Sequence, residues 1–216
     1  GSSGGSSRRG GRRGGGGGGS GLSFSRDGTA LMFGAAELPK PELPKLLDEE
    51  KVTLDLWHWK DPLLQPMQAK QGRSRSLKCV WHFGEDRMTV VSAKDTDQVA
   101  FLTPSGTHAL VHDAVPYAQA VSWDGRYSDA YVVDTASGDR TRVITELRGR
   151  ATSSPDGKTL AFFRDDQWFA VDVSSGETVC LTKDLKVPFH REDDDRPEPA
   201  GAHGIAGWTE DGRDLI

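Results

Sequence analysis

The sequence predicts an all-β chain, part of a β-propeller whose blades are four-stranded antiparallel sheets, present as about four incomplete repeats. Three observations predict it. Residues 151–182 (ATSSPDGKTLAFFRDDQWFAVDVSSGETVCLT) parse as four short strands joined by three turns. The first of those turns, Ser154-Pro155-Asp156-Gly157, recurs as Ser25-Arg26-Asp27-Gly28, Thr103-Pro104-Ser105-Gly106 and Thr209-Glu210-Asp211-Gly212. Within residues 168–173 one face carries Phe169, Val171 and Val173, and the other carries Trp168 and Ala170. A sheet with one wet face alternates apolar with polar residues, so two apolar faces imply a small sheet packed between two others.

The repeat is the first thing to establish in such a chain. Its turn glycines Gly28, Gly106, Gly157 and Gly212 are separated by 78, 51 and 55 residues. The two shorter spacings suit one blade of roughly 40–50 residues, and the longest requires an insertion. A second turn also repeats, with Asp134-Thr135-Ala136-Ser137-Gly138 matching Asp172-Val173-Ser174-Ser175-Gly176.

Taken in order, residues 1–21 contain only Gly, Ser and Arg, and the first large apolar residue is Leu22. They cannot build a core and are expected to be a disordered tail or linker ahead of the domain at 22–216. Residues 22–34 form the first hairpin, and the proline-bearing stretch 35–51 is an insertion. Residues 52–59 (VTLDLWHW) alternate, which predicts a strand with Val52, Leu54 and Leu56 on one face and Trp57 and Trp59 on the other. Residues 62–76 read as irregular. Hairpin strands at 77–83 and 88–92 flank Gly84-Glu85-Asp86-Arg87. A strand at 99–102 enters the Pro104 turn, residues 112–127 make a second excursion, and 129–134 resume the sheet. Beyond the central repeat, residues 187–202 form a proline- and acid-rich loop. The chain stops at Ile216 within a predicted strand, which points to a piece of a longer protein whose open sheet edges would favour association.

Composition narrows the function classes. The net charge is −5, and the four arginines of residues 1–21 hide a body of formal charge −9. An acidic body argues against a phosphate-binding surface. Two Arg-Gly-Gly segments in the tail lack the interleaved aromatics that stack bases, so nucleic-acid binding is not expected. No run reaches the length of a membrane-spanning helix, and no membrane association is expected. Cys79 and Cys180 are the only cysteines. Cys180 falls on a predicted buried strand and reads as a buried free thiol.

No constellation able to do chemistry emerges. His108 and His112 flank an apolar strand rather than occupying an H-E-x-x-H helix. Cys79 and His82 lack the second pair of a tetrahedral zinc site. Glu192-Asp193-Asp194-Asp195 lacks the spacing that directs oxygens at one calcium ion. Gly1-Ser2-Ser3-Gly4-Gly5 matches a nucleophile elbow in letters alone, with no strand before it or helix after. Catalytic residues, metal and cofactor are therefore all expected to be none. Packing between blades is the default role for the six tryptophans. If any bind substrate, the candidates are Trp57 and Trp59 as a stacking shelf, with Asp61 and Arg126 near the mouth.

Residues 52–68 (VTLDLWHWKDPLLQPMQ), 121–134 (VSWDGRYSDAYVVD), 153–163 (SSPDGKTLAFF) and 187–208 (VPFHREDDDRPEPAGAHGIAGW) resemble the N-terminal propeller of bacterial serine peptidases of the prolyl oligopeptidase family. The repeats are similar to those of TolB-like propellers. In that family the propeller covers an α/β-hydrolase domain, which carries a Ser-Asp-His triad and cleaves short peptides. The resemblance thus implies a non-catalytic part that gates or selects short peptides, with the C-terminal α/β-hydrolase domain as its missing partner. The alternative is a free-standing TolB-like propeller acting as a protein-binding module.

Overall fold

The computed structural model describes residues 21–36, 54, 56–61, 63–70, 76–85, 87–94, 96–193 and 199–216. Three four-stranded antiparallel sheets follow one another along the chain, each a meander in sequence order. The N-terminal sheet comprises β1 (Ser23–Phe24), β2 (Ala30–Ala35), β3 (Leu77–His82) and β4 (Met88–Val90). The central sheet comprises β5 (Gln98–Phe101), β6 (His108–Asp113), β7 (Tyr127–Asp134) and β8 (Arg140–Arg148). The third comprises β9 (Thr152–Ser153), β10 (Thr159–Arg164), β11 (Gln167–Asp172) and β12 (Thr178–Cys180). A fourth copy of the turn, at residues 209–212, is flanked by an antiparallel bridge between Trp208 and Leu215.

The repeated first turn is one geometry used four times. The amide of Gly28, Gly106, Gly157 and Gly212 donates to the carbonyl three residues earlier at 3.0, 3.0, 3.0 and 2.9 Å. The hydroxyl that opens each turn accepts the amide five residues on: Ser25 from Ala30 at 2.9 Å, Thr103 from His108 at 3.1 Å, Ser154 from Thr159 at 3.0 Å and Thr209 from Asp214 at 3.0 Å. Short polar side chains at these positions satisfy backbone groups that a two-strand ladder leaves free. The second turn repeats equally closely. Asp134 accepts the amides of Ala136 and Ser137 at 2.7 and 2.8 Å, and Asp172 those of Ser174 and Ser175 at 2.9 and 2.8 Å.

The doubly apolar strands have a direct explanation, because the central sheet is covered on both faces. Ala109, Val111 and Val133 pack with Ala30, Met32, Val80 and Val91 of the N-terminal side. The opposite face, with Leu110, Ala130, Val132, Ile144 and Leu147, packs against Leu160, Phe162 and Val171 of the third sheet. Pairing of Ala109 with Val133, and of Leu110 with Val132, puts each pair on its own face. Each fully buried Leu or Val contributes about 1.5–3 kcal/mol relative to exposure.

The turns also stack, each on its neighbour. Asp27 N–H donates to Pro104 O at 3.2 Å, and Thr29 Oγ1 to Ser105 O at 3.2 Å. A Cβ on Gly157 would lie 2.4 Å from Leu102 O, so that close approach of two backbones requires glycine. Buried Thr135 ties two sheets together by donating to Gly106 O at 2.6 Å and meeting His82 Nε2 at 2.8 Å.

Several expectations are corrected. The strand expected over residues 52–59 is not found: Leu54 and 56–61 lie in coil and turn, and the other residues of that stretch fall outside the described set. Leu56 is 84% exposed. Alternation makes a strand only where a neighbouring strand supplies hydrogen bonds, and here His58 N–H instead closes a local turn onto Asp61 at 2.9 Å. Residues 65–70, read as irregular, form α1 (Gln65–Lys70), where Pro66 in the first turn needs no amide partner. Strand β8 (Arg140–Arg148) was not anticipated from its alternating charges. Cys180 sits half-buried on edge strand β12, whereas the buried free thiol is Cys79. Residues 1–20 of the tail, residues 37–51 of the proline-rich insertion and the Arg73-Ser74-Arg75 run lie outside the described residues. Among the described residues no helix is long and apolar enough to cross a membrane.

Candidate functional site

The end of the sheets opposite the repeated first turns is where the repeat breaks down. Between β6 and β7 the chain makes two short 3-10 turns, Val115–Tyr117 and Ala120–Ser122, before entering β7 at Tyr127. Facing this excursion, β8 slips register against β7 on either side of Ala130. Glu146, at that irregularity, adopts φ 51°. Such a conformation is costly for a residue with a Cβ and persists where surroundings hold it.

Asp129 is what holds it. Its buried carboxylate accepts Tyr117 Oη at 2.7 Å and Glu146 N–H at 3.0 Å on one oxygen, and Arg142 Nη1 at 3.4 Å on the other. Burial alone would raise this carboxyl, but those donors outweigh it and keep it below the usual range. Burial, followed by the bond to Asp129, pushes the Tyr117 hydroxyl up to about 12. The cluster therefore stays ionised at the aspartate and protonated at the tyrosine, as a brace for the bulge.

Two cavities flank the loop at residues 119–126. The smaller, about 220 Å³, is lined by Trp57, Trp59, Asp61, Gln119 and Trp123, with Leu63 and Leu64. Gln119 Nε2 donates to Lys60 O at 3.0 Å, tying the tryptophan-bearing turn to the loop. Asp61 is held below its ordinary value by the His58 amide and then by Gln68, whose Nε2 lies at 3.2 Å. The larger is an open cleft of about 1050 Å³ between the central and third sheets. Tyr127, Phe163 and Trp168 supply its aromatic surface, and Arg126, Arg148, Arg150 and Arg164 reach it together with Glu146, Asp165 and Asp166. Asp165 and Asp166 form the two-residue hairpin between β10 and β11, both with positive φ as such hairpins require. His190 Nδ1 approaches Asp166 at 3.5 Å.

The four sequence candidates thus separate into two groups. Trp57, Trp59 and Asp61 share the small cavity, although not through a strand, and Arg126 lines the large cleft on the other side of the same loop. Trp123, expected to fill a gap between sheets, is 76% exposed and completes the tryptophan cavity. Tyr127, Trp168 and the Arg148-Gly149-Arg150 turn were not anticipated. The letters were visible, but nothing in local pattern brings residues 126, 150 and 164 together. His108 and His112 make separate contacts, His108 Nδ1 with Thr107 and His112 Nδ1 with Ser128, each at 3.2 Å. Burial, and then the charge of Arg150, lower the pKa of His112 and keep it neutral.

The chain is an all-β protein of successive four-stranded antiparallel sheets packed face to face. No family model matches it, and no curated protein matches it. Among solved structures, TolB from Acinetobacter baumannii is similar at a TM-score of 0.38 and 14% identity, over 79% of this chain and 32% of its own. Dipeptidyl peptidase 4 from Porphyromonas gingivalis is similar at a TM-score of 0.41 and 14% identity, over 77% of this chain and 20% of its own. The chain therefore spans less than a third of either.

Proposed function

We propose that this chain is the non-catalytic propeller portion of a prolyl oligopeptidase-like serine peptidase, selecting short peptides for an α/β-hydrolase domain. The observation that supports it most is the repeated step from sheet to sheet, with a central sheet covered on both faces and each first turn seated on its neighbour. That step is what blades of a propeller need. The sequence resemblance over residues 52–68 and 187–208 supports the peptidase reading. Binding falls to the loop at 119–126, where an aromatic cavity and an open cleft lie side by side. Trp57, Trp59 and Trp123 offer flat apolar surface to a peptide side chain, and Asp61 and Arg126 offer charge at either edge.

Calorimetric titration of di- to hexapeptides into the chain tests this reading. Saturable binding is expected, with Trp57→Ala and Trp123→Ala each weakening it on the order of tenfold, as for desolvated aromatic anchors. Absence of binding to every short peptide, alongside retention of a folded protein by the same face, would replace it with the protein-binding module.

A further inference from the structure

Arg140 and Arg142 of the central sheet are paired with carboxylates, whereas among the described residues Arg126, Arg150 and Arg164 at the cleft are not. Arg140 meets buried Asp97 at 3.2 Å, and Arg142 meets buried Asp129 at 3.4 Å. Arg150 and Arg164 meet neutral acceptors instead. Arg150 Nη2 donates to the Gln98 side-chain oxygen at 2.9 Å, and Arg164 Nη2 donates to Thr145 O. Arg148 Nη1 donates to Pro199 O, which anchors it across the cleft. Arg126 is exposed, and among the described residues no carboxylate pairs with it, with Arg150 or with Arg164.

A neutral acceptor orients a guanidinium without cancelling its charge. Several such groups converge on one cleft of an otherwise acidic body, beside Tyr127 and Trp168. The planar fork of arginine suits a carboxylate, which it binds through two parallel hydrogen bonds. The cleft also carries carboxylates, at Glu146 and at the Asp165-Asp166 hairpin. They would repel a ligand charged negatively throughout, such as a phosphate chain. The arrangement favours a ligand with one carboxylate, an apolar body and no further negative charge.

We infer that the cleft binds the free C-terminal carboxylate of a short, otherwise uncharged peptide, with Arg126 and Arg150 on the carboxylate and the aromatic side chains on the apolar part. This rests on the reading of the chain as a peptide-selecting module and names which peptides it selects.

The test is calorimetric titration of the full chain with trialanine as the free acid, trialanine as the C-terminal amide, and inorganic phosphate. The free acid is expected to bind on the order of tenfold more tightly than the amide, the loss that one charge-assisted hydrogen-bonded contact produces. That ratio should fall towards one in Arg126→Ala/Arg150→Ala and be largely kept in Arg126→Lys, with unchanged circular dichroism for both. Equal binding of acid and amide overturns the inference while leaving peptide selection intact. Phosphate binding as tight as the free acid overturns it in favour of a general anion site. Binding of neither trialanine form, nor of any longer peptide, removes both the inference and the reading beneath it.

Discussion

The two ends of the sheets contrast sharply. At one end four turns share hydrogen bonds, glycine conformation and seat on a neighbouring turn, and their local polar groups are satisfied within a few residues. At the other end nothing repeats: a bulge, two 3-10 turns, a two-aspartate hairpin, and Arg126, Arg150 and Arg164, which pair with no carboxylate among the described residues, open onto a cleft. All three non-glycine residues with positive φ among the described residues line that cleft. Repetition builds the scaffold, and departures from it make room for a ligand.

The largest expected effect comes from attacking the repeated end where two turns touch. Gly157→Ala adds a Cβ that would meet Leu102 O at 2.4 Å, in a residue with φ 76°. It should cost on the order of 3 kcal/mol in urea unfolding. Gly28→Ala, in the same turn geometry but with open space around it, should cost only about 1 kcal/mol. Equal losses would mean that the turns are not seated on one another.

Next comes the brace at the other end. Asp129→Ala leaves Tyr117 Oη without its acceptor and Glu146 N–H with Tyr117 Oη alone, and should cost about 2 kcal/mol, with altered near-ultraviolet circular dichroism from the loop. A smaller effect is expected from acid. Hydrogen bonds from the Ser174 side chain, and then from Ser175, bring Asp172 to about 2 from its ordinary 3.8. A carboxyl depressed in the fold stabilises fully above its unfolded value, and that contribution is lost as pH falls through the folded one. Asp172→Ala should therefore lower the melting temperature at neutral pH, with that deficit shrinking between about pH 4 and pH 2. Smallest of all, Arg126→Ala should shift stability by less than about 0.5 kcal/mol, because no partner among the described residues holds the side chain. A larger change would make Arg126 part of the scaffold rather than of the cleft.

Legibility followed range. The turns at 25–28, 103–106, 154–157 and 209–212 could be read because serine, threonine, aspartate and glycine act on backbone groups within five residues. Strands β10 and β11, and the faces of Phe169 and Val171, were readable because apolar residues on both faces demand two neighbours. The stretch 52–59 misled for the complementary reason, since its alternation needs a strand beside it and none pairs with the described part. The cleft was the least readable feature, as it joins side chains from β7, β8, β10 and the loop at 199–202.

The sequence by itself determined the four-stranded unit, its recurrence and the positions of its turns, because those depend on backbone dihedral preference and nearest-neighbour hydrogen bonds. Tertiary structure alone decided which face of the central sheet meets which neighbour, where the register slips at Ala130, and which arginines converge on the cleft. Those outcomes depend on contacts between residues tens of positions apart, and no local pattern carries the energy of a contact it does not contain.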